Sequence, residues 1–137
     1  MVPTVEWKDG AVRLLDQSRL PTSVEFIDCR DYQAVAQDLI TRNITSQPRL
    51  GIMGGSQGGL FMGAMLTQRP DLINAAVIQV PLFDMLRFHK LLAGASWMAE
   101  YGDPDVAEER AWLEKLSPYH NVDPNKTYPE IYFETST

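Results

Sequence analysis

The sequence predicts an α/β fold in which a partial, doubly wound and mostly parallel sheet is preceded by an N-terminal β-hairpin. Three observations predict it. Two short apolar runs, Leu50–Met53 and Ala75–Val80, flank an apolar helical stretch that opens on a glycine-rich turn, which is the pattern of a βαβ unit. Residues Asp31–Arg42 bring Val35, Ala36, Leu39 and Ile40 to helical spacing. Further on, Pro129–Thr135 has the aromatic and β-branched composition of another strand.

In chain order, Val5–Trp7 and Ala11–Leu15 are β-type runs separated by Lys8-Asp9-Gly10, and Asp-Gly between apolar runs suits the tight turn of a hairpin. Pro21 closes that unit, and Val24-Glu25-Phe26-Ile27 alternates as a half-buried strand does. Asp31 stands where an N-cap carboxylate would accept from the free N–H groups of a first helical turn. The helix it opens is amphipathic, so one face must pack. After the polar break Thr41–Arg49, the run Leu50–Met53 meets Gly54-Gly55-Ser56-Gln57-Gly58-Gly59, and an apolar helix continues through Leu60, Phe61, Met62, Ala64, Met65 and Leu66. It ends near Arg69-Pro70, because proline cannot continue it. Ala75–Val80 is apolar almost throughout, as expected of a parallel strand covered on both faces, and Pro81 terminates it. Asp84–Ala93 reads as a helix and Gly94–Pro104 as a loop carrying Trp97 and Tyr101. Val106–Leu116 reads as a helix with acidic residues early and Lys115 late, in accord with the helix macrodipole.

Composition narrows the function classes. At 137 residues the chain has the length of one domain, and 12 Lys+Arg against 18 Asp+Glu give a net charge of -6. The basic footprint of a nucleic-acid binder is absent. No stretch approaches the ~18 consecutive apolar residues of a membrane span. Met1–Trp7 lacks the basic start and apolar run of a secretory signal, and the single cysteine, Cys29, excludes an internal disulfide, so a cytoplasmic location is expected. Cys29, His89 and His120 are too few for a Cys/His metal site, and neither a metal nor another cofactor is expected.

Gly54-Gly55-Ser56-Gln57-Gly58 fits the G-x-S-x-G nucleophile elbow, a sharp strand-to-helix turn that holds a serine in a strained backbone conformation with its hydroxyl exposed. Glycines flank the serine because side chains there are expected to collide with the neighbouring strand and helix. The N–H of Gln57 would point at a developing oxyanion, where the helix N-terminus favours negative charge. Two other readings of the turn are a phosphate cradle, which lacks the lysine and spacing of a P-loop, and a simple cap role for Ser56.

Several ungapped blocks carry a family resemblance. Gly51–Leu60 (GIMGGSQGGL), Gln68–Leu72 (QRPDL), Val80–Lys90 (VPLFDMLRFHK), Gly94–Pro104 (GASWMAEYGDP) and Ser117–Val122 (SPYHNV) resemble, in order, the catalytic domain of the prolyl oligopeptidase family of serine peptidases. The resemblance runs from about Ala34 to Thr137. It implies an α/β-hydrolase fold, Ser56 as nucleophile, the Gln57 N–H in the oxyanion hole, and a peptide substrate that can contain proline. Trp97 would stack on a substrate proline ring, with Leu82 and Tyr101 lining that pocket; core packing is the alternative for Leu82. Family members commonly carry asparagine where Gln57 stands, and this departure is expected to matter little because the backbone does the chemistry.

A serine needs a histidine to take its proton and a carboxylate to hold that histidine, in the chain order Ser, Asp, His in this fold. His89 and His120 fall in blocks that the resemblance reads as structural, and His120 as base would require Asp103 or Asp105 as its acid. The resemblance places the triad aspartate and histidine beyond Thr137, so the chain is expected to be an incomplete and inactive piece. Its truncated sheet is expected to self-associate through exposed edges.

Val5–Pro21 (VEWKDGAVRLLDQSRLP) and Cys29-Arg30-Asp31 resemble instead the N-terminus of methylthioribose-1-phosphate isomerase, over residues of about 4 to 36. This divides the chain into an isomerase-like segment, 1–33, and a hydrolase-like one, 34–137, as in a chimera. The isomerase's catalytic cysteine and aspartate have no counterpart, and Cys29 is not that cysteine. An isomerase fragment of methionine salvage and a non-catalytic scaffold are the alternative functions.

Overall fold

The computed structural model describes residues 4–8, 11–15 and 30–135. The expected strand Val24–Ile27, Cys29 and the Asp9-Gly10 turn lie outside them. Strands β1 (Thr4–Lys8) and β2 (Ala11–Leu15) pair antiparallel, with Thr4 opposite Leu15 and Lys8 opposite Ala11, which is the expected hairpin.

Helix α1 covers Arg30–Thr41, one residue ahead of the expected start, so Asp31 sits within its first turn rather than at the cap. It favours the positive end of the helix from there. Asn43 closes the helix at φ 56, where its N–H reaches the Ile40 carbonyl and that of Ile44 reaches the Leu39 carbonyl. Asparagine tolerates this left-handed position better than most residues.

Strands β3 (Gly51–Gly55), β4 (Ala75–Gln79) and β5 (Glu130–Glu134) form a parallel sheet in that order. Helix α2 (Gln57–Gln68) connects the first two, giving the βαβ unit the apolar runs predict. Registered residues share a face because side chains alternate across a strand. Ile52, Ala76 and Ile131 lie in one row, and Gly54, Ile78 and Phe133 in the next row on the same face. Ala76 and Ile78 on this face are buried in one cluster with Leu60, Met62, Met65 and Leu66 of α2. Met53, Val77 and Tyr132 point to the opposite face, and Met53 and Tyr132 are exposed there. Among the described residues only one face is covered, against the expectation that β4 is sandwiched.

Helix α2 is buried over most of its circumference, from Gly59 to Thr67 with few gaps. The Thr67 hydroxyl, buried with it, donates back to the carbonyls of Gly63 and Ala64. Helix α1 docks on its outer side, where Tyr32 stacks on Phe61 at 5.8 Å and Gln33 donates to the Gln68 side chain at 2.7 Å.

The β4–β5 crossover departs from expectation in two places. Asp84–Ala93 is not a helix but a run of turns with a short 3-10 segment at Phe88–Lys90. Its N–H groups are taken elsewhere: that of Met85 by the Ser117 hydroxyl, that of Leu86 by the Asp84 carboxylate, and those of Arg87, Lys90 and Leu91 by carbonyls three residues back. Leu92, at φ 47, interrupts any continuation. The stretch Gly94–Pro104, expected as loop, contains a 3-10 turn at Gly94–Trp97 that runs into helix α3 (Met98–Tyr101). Helix α4 (Ala107–Leu116) carries Glu108 and Glu109 in its first turn and Lys115 in its last, as the charge pattern predicts. No helix among the described residues is long and apolar enough to cross a membrane.

Candidate active site

Ser56 is the single residue between β3 and α2, with φ 54 and ψ -118. A positive φ is costly for a residue with a Cβ, of the order of 1–3 kcal/mol, and persists where surrounding contacts enforce it. Here the Ser56 N–H donates to the Gln79 carbonyl of β4 at 2.9 Å, and the Ser56 carbonyl accepts from Leu60 at 3.2 Å, the first turn of α2. The sheet thus holds one side of the residue and the helix the other.

The close approach of strand and helix explains two glycines. A Cβ on Gly54 would run into the Gly58 carbonyl and come within 2.8 Å of Met62 Cγ, and one on Gly59 within 2.8 Å of Pro81 Cβ. At Gly58, by contrast, a Cβ would meet nothing within 4 Å. The expected collision on both flanks of the serine therefore holds at Gly54 but moves from Gly58 to Gly59.

Ser56 is exposed, and its hydroxyl makes no cap bond to α2, so the simple cap role falls away. Gln57 opens α2, where the first backbone N–H groups have no acceptor within the helix. Its side chain leaves the elbow altogether: Nε2 donates to Glu100 Oε1 of α3 at 2.8 Å.

That contact leads to the aromatic residues. Trp97 and Tyr101 stack with ring centroids 6.2 Å apart and planes 14° from parallel, and Tyr101 meets Phe88 edge-on at 5.7 Å. Tyr101 is only 3% exposed, so its place in a glycine- and proline-rich stretch does not keep it out of the core. Its hydroxyl is buried without a hydrogen-bond partner, and burial, with a smaller contribution from the Glu100 charge, raises its pKa above the ordinary phenol value. Trp97 and Leu82 are half-buried against the same core.

Both histidines are engaged away from the elbow. The His89 side chain is 7% exposed, and its Nε2 lies 3.2 Å from the Asp105 carboxylate. Lys90 holds the other oxygen of Asp105 at 3.2 Å, and the two partners, Lys90 foremost, keep that carboxyl below the usual range. His89 with Asp103 and Asp105 brings three potential ligand atoms within 4.8 Å of one another, but the Lys90 ammonium already occupies this carboxylate corner. His120 Nδ1 lies 2.8 Å from Ser117 Oγ and 4.0 Å from Asp84 Oδ1. Its acidic neighbour is thus Asp84 rather than Asp103 or Asp105. Ser117 is fully buried and donates to the Phe83 carbonyl, a packing role.

Two residues near the elbow carry no signal in the linear sequence. Val80 adopts φ 39 at the carboxyl end of β4, beside the carbonyl that holds Ser56, although a β-branched residue before proline favours extended backbone. Glu100 reaches Gln57 across 43 residues.

The chain matches the model of the prolyl oligopeptidase family over residues 25–136. It is 64% identical over 107 residues to an uncharacterized peptidase, y4nA, of Sinorhizobium fredii, covering 78% of this chain and 15% of that protein. A prolyl endopeptidase of Dictyostelium discoideum is 45% identical over 103 residues, 74% of this chain and 13% of its own length. Among solved structures, a prolyl endopeptidase superposes with a TM-score of 0.75 at 43% identity, over 77% of this chain and 16% of that one. Prolyl oligopeptidase B of Galerina marginata, bound to a 25mer macrocyclization substrate, gives 0.74 at 34% identity, over 77% and 15%. The chain thus spans about 15% of the length of the curated relatives it matches. With a strained, exposed serine at the β3–α2 turn and a family match that takes in every element from α1 to β5, the chain belongs to the prolyl oligopeptidase family.

Proposed function

We propose that this chain carries the nucleophile and part of the substrate-binding wall of a serine peptidase that hydrolyses peptide bonds through an acyl-enzyme on Ser56. The observation that carries the reading is the backbone of Ser56, at φ 54 between strand and helix with an exposed side chain. Strain of this kind concentrates at functional sites. In the acylation step Ser56 Oγ bonds to the scissile carbonyl carbon and loses its proton to a base, while the carbonyl electrons move onto oxygen. The Gln57 N–H, at the positive end of α2, donates to that oxyanion. Collapse expels the amine, which takes up the proton, and water then releases the acyl group. With His89 held by Asp105 and His120 by Ser117, the base is assigned outside the described residues.

Leu82 and Trp97 are proposed to line the pocket for a proline-containing peptide, with buried Tyr101 stacked behind Trp97. Relatives described as prolyl endopeptidases support this, as does the stacked pair of Trp97 and Tyr101 tied to the elbow through Glu100. Labelling with a fluorophosphonate tests the nucleophile: because the base lies outside the described residues, slow labelling is expected in the wild type, faster with imidazole added as a surrogate base, and none in Ser56→Ala. Equal labelling of both, or no labelling of the wild type even with imidazole, overturns the reading.

The isomerase-like segment 1–33 and its boundary with 34–137 are also proposed, on the residues quoted above. A chain lacking residues 1–29, which leaves α1 whole, is expected to keep its fold; loss of the folded state would refute the division. Self-association is proposed through the uncovered sheet face, where Met53 and Tyr132 are exposed. A monomer in sedimentation equilibrium at high concentration would refute it.

A further inference from the structure

The bond between Gln57 and Glu100 is a side-chain hydrogen bond between the start of α2 and the single turn α3, across 43 residues of sequence. One end is the residue whose N–H faces the proposed oxyanion; the other lies in α3 between Trp97 and Tyr101. Two properties make the link specific. Glutamine spans it at 2.8 Å, and asparagine, shorter by one methylene, falls short from the same backbone. Glu100 is exposed and adjacent to buried Tyr101, so its carboxylate is anchored at its own backbone while remaining free to accept.

We propose that Glu100 is a positioning residue: by accepting from Gln57 Nε2 it fixes the first turn of α2 relative to the Trp97–Tyr101 wall, so that oxyanion donor and substrate pocket keep one mutual geometry. This deepens the peptidase reading and rests on it. The reason the link matters is that α3 is a single turn, too short to hold its place by helical hydrogen bonds alone. On this reading Gln57 has a task for its side chain as well as its backbone, unlike the expectation that only the backbone matters.

The test uses Gln57→Asn, Gln57→Ala, Glu100→Ala, Glu100→Gln and the double variant Gln57→Ala/Glu100→Ala in the whole 137-residue chain. The first measurement is the second-order rate of Ser56 labelling, with imidazole present as a surrogate base, by a proline-based diphenyl phosphonate and by a small fluorophosphonate. Glu100→Ala is expected to slow the proline probe by roughly 3- to 10-fold and the small probe less, as fits the loss of one hydrogen bond. Glu100→Gln, which still accepts, is expected to stay near wild type, and the double variant to be no slower than either single one. The second measurement is backbone hydrogen exchange over residues 57–60 and 97–101, which does not depend on a reactive serine. Exchange is expected to rise in both segments in Glu100→Ala and in Gln57→Asn, and in neither in Glu100→Gln. Unchanged exchange in Glu100→Ala, or additive losses in the double variant, overturns the proposal. Absent labelling in the wild type with the expected exchange pattern would instead sink the peptidase reading and leave the link standing.

Discussion

The two faces of the β3–β4–β5 sheet differ more than their sequences do. On the α2 side, Ile78 and Leu60 are fully buried and the strand glycine Gly54 lets the helix come into contact. On the other side Met53 is 65% and Tyr132 63% exposed among the described residues. Both faces are written in apolar side chains, yet only one is packed. The lesson is that the site leans on the packed layer: Ser56 is held between the Gln79 carbonyl of β4 and the first turn of α2, and α2 starts where close packing at Gly54 requires it to start.

The sharpest way to break this asymmetry is to delete matched apolar volume on the two sides. Leu60→Ala removes a fully buried side chain and is expected to cost about 2–5 kcal/mol of stability. Met53→Ala is expected to change stability by less than about 0.5 kcal/mol. Urea unfolding of both variants reads the difference, and comparable losses would mean that the second face is packed in solution.

Within the packed layer, the glycines of the elbow divide in the same way. Gly54→Ala forces a methyl group into the Gly58 carbonyl and against Met62, at an expected cost of about 1–3 kcal/mol and with loss of Ser56 labelling. Gly58→Ala meets open space inside α2, where alanine is the better helix former, so a gain of about 0.5–1 kcal/mol is expected with labelling preserved. A destabilised Gly58→Ala would place an unseen contact over the elbow.

How much of this could be read in advance follows the same division. The βαβ unit was legible because its signals are local: apolar runs of strand length, a glycine turn, and a proline stop. Ser56 was legible for the same reason, since the elbow is a five-residue pattern in a strand–turn–helix setting. The Asp84–Ala93 stretch was not, because one distant acceptor, the Ser117 hydroxyl, takes the Met85 N–H and the rest closes locally, on the Asp84 carboxylate and as three-residue turns. Tyr101 went the same way; its neighbours Gly94, Gly102 and Pro104 suggest a loop, while Phe88 and Trp97 draw its ring into the core. The Glu100 link spans 43 residues and leaves no periodic trace.

Relief of the backbone strain gives a smaller effect at the centre of the comparison. Ser56→Gly places at φ 54 a residue that adopts it freely, and a gain of about 0.5–2 kcal/mol over Ser56→Ala is expected, net of glycine's greater entropy loss on folding. Neither variant is expected to be labelled. Equal stability of the two would mean that the packed layer does not force the turn.

The smallest effect concerns the seam by which α1 closes the packed layer. Arg69 grips Asp71 through two hydrogen bonds, of 2.8 and 2.7 Å, and reaches Gln37 of α1 with the same guanidinium. Arg69 lowers the Asp71 pKa below its ordinary value, chiefly by hydrogen bonding to the ionised form. A carboxyl depressed on folding stabilises the protein above its unfolded pKa of about 3.9, and this contribution fades as pH falls through the folded value. The Asp71 side chain is mostly in water and that of Arg69 about a third exposed, so solvent and salt screen the pair and a contribution of only about 0.2–1 kcal/mol is expected. Unfolding midpoints for wild type and Asp71→Asn should therefore differ near neutral pH and converge below about pH 3. A gap that persists in acid would mean that Asp71 holds the α1 seam by shape rather than by charge.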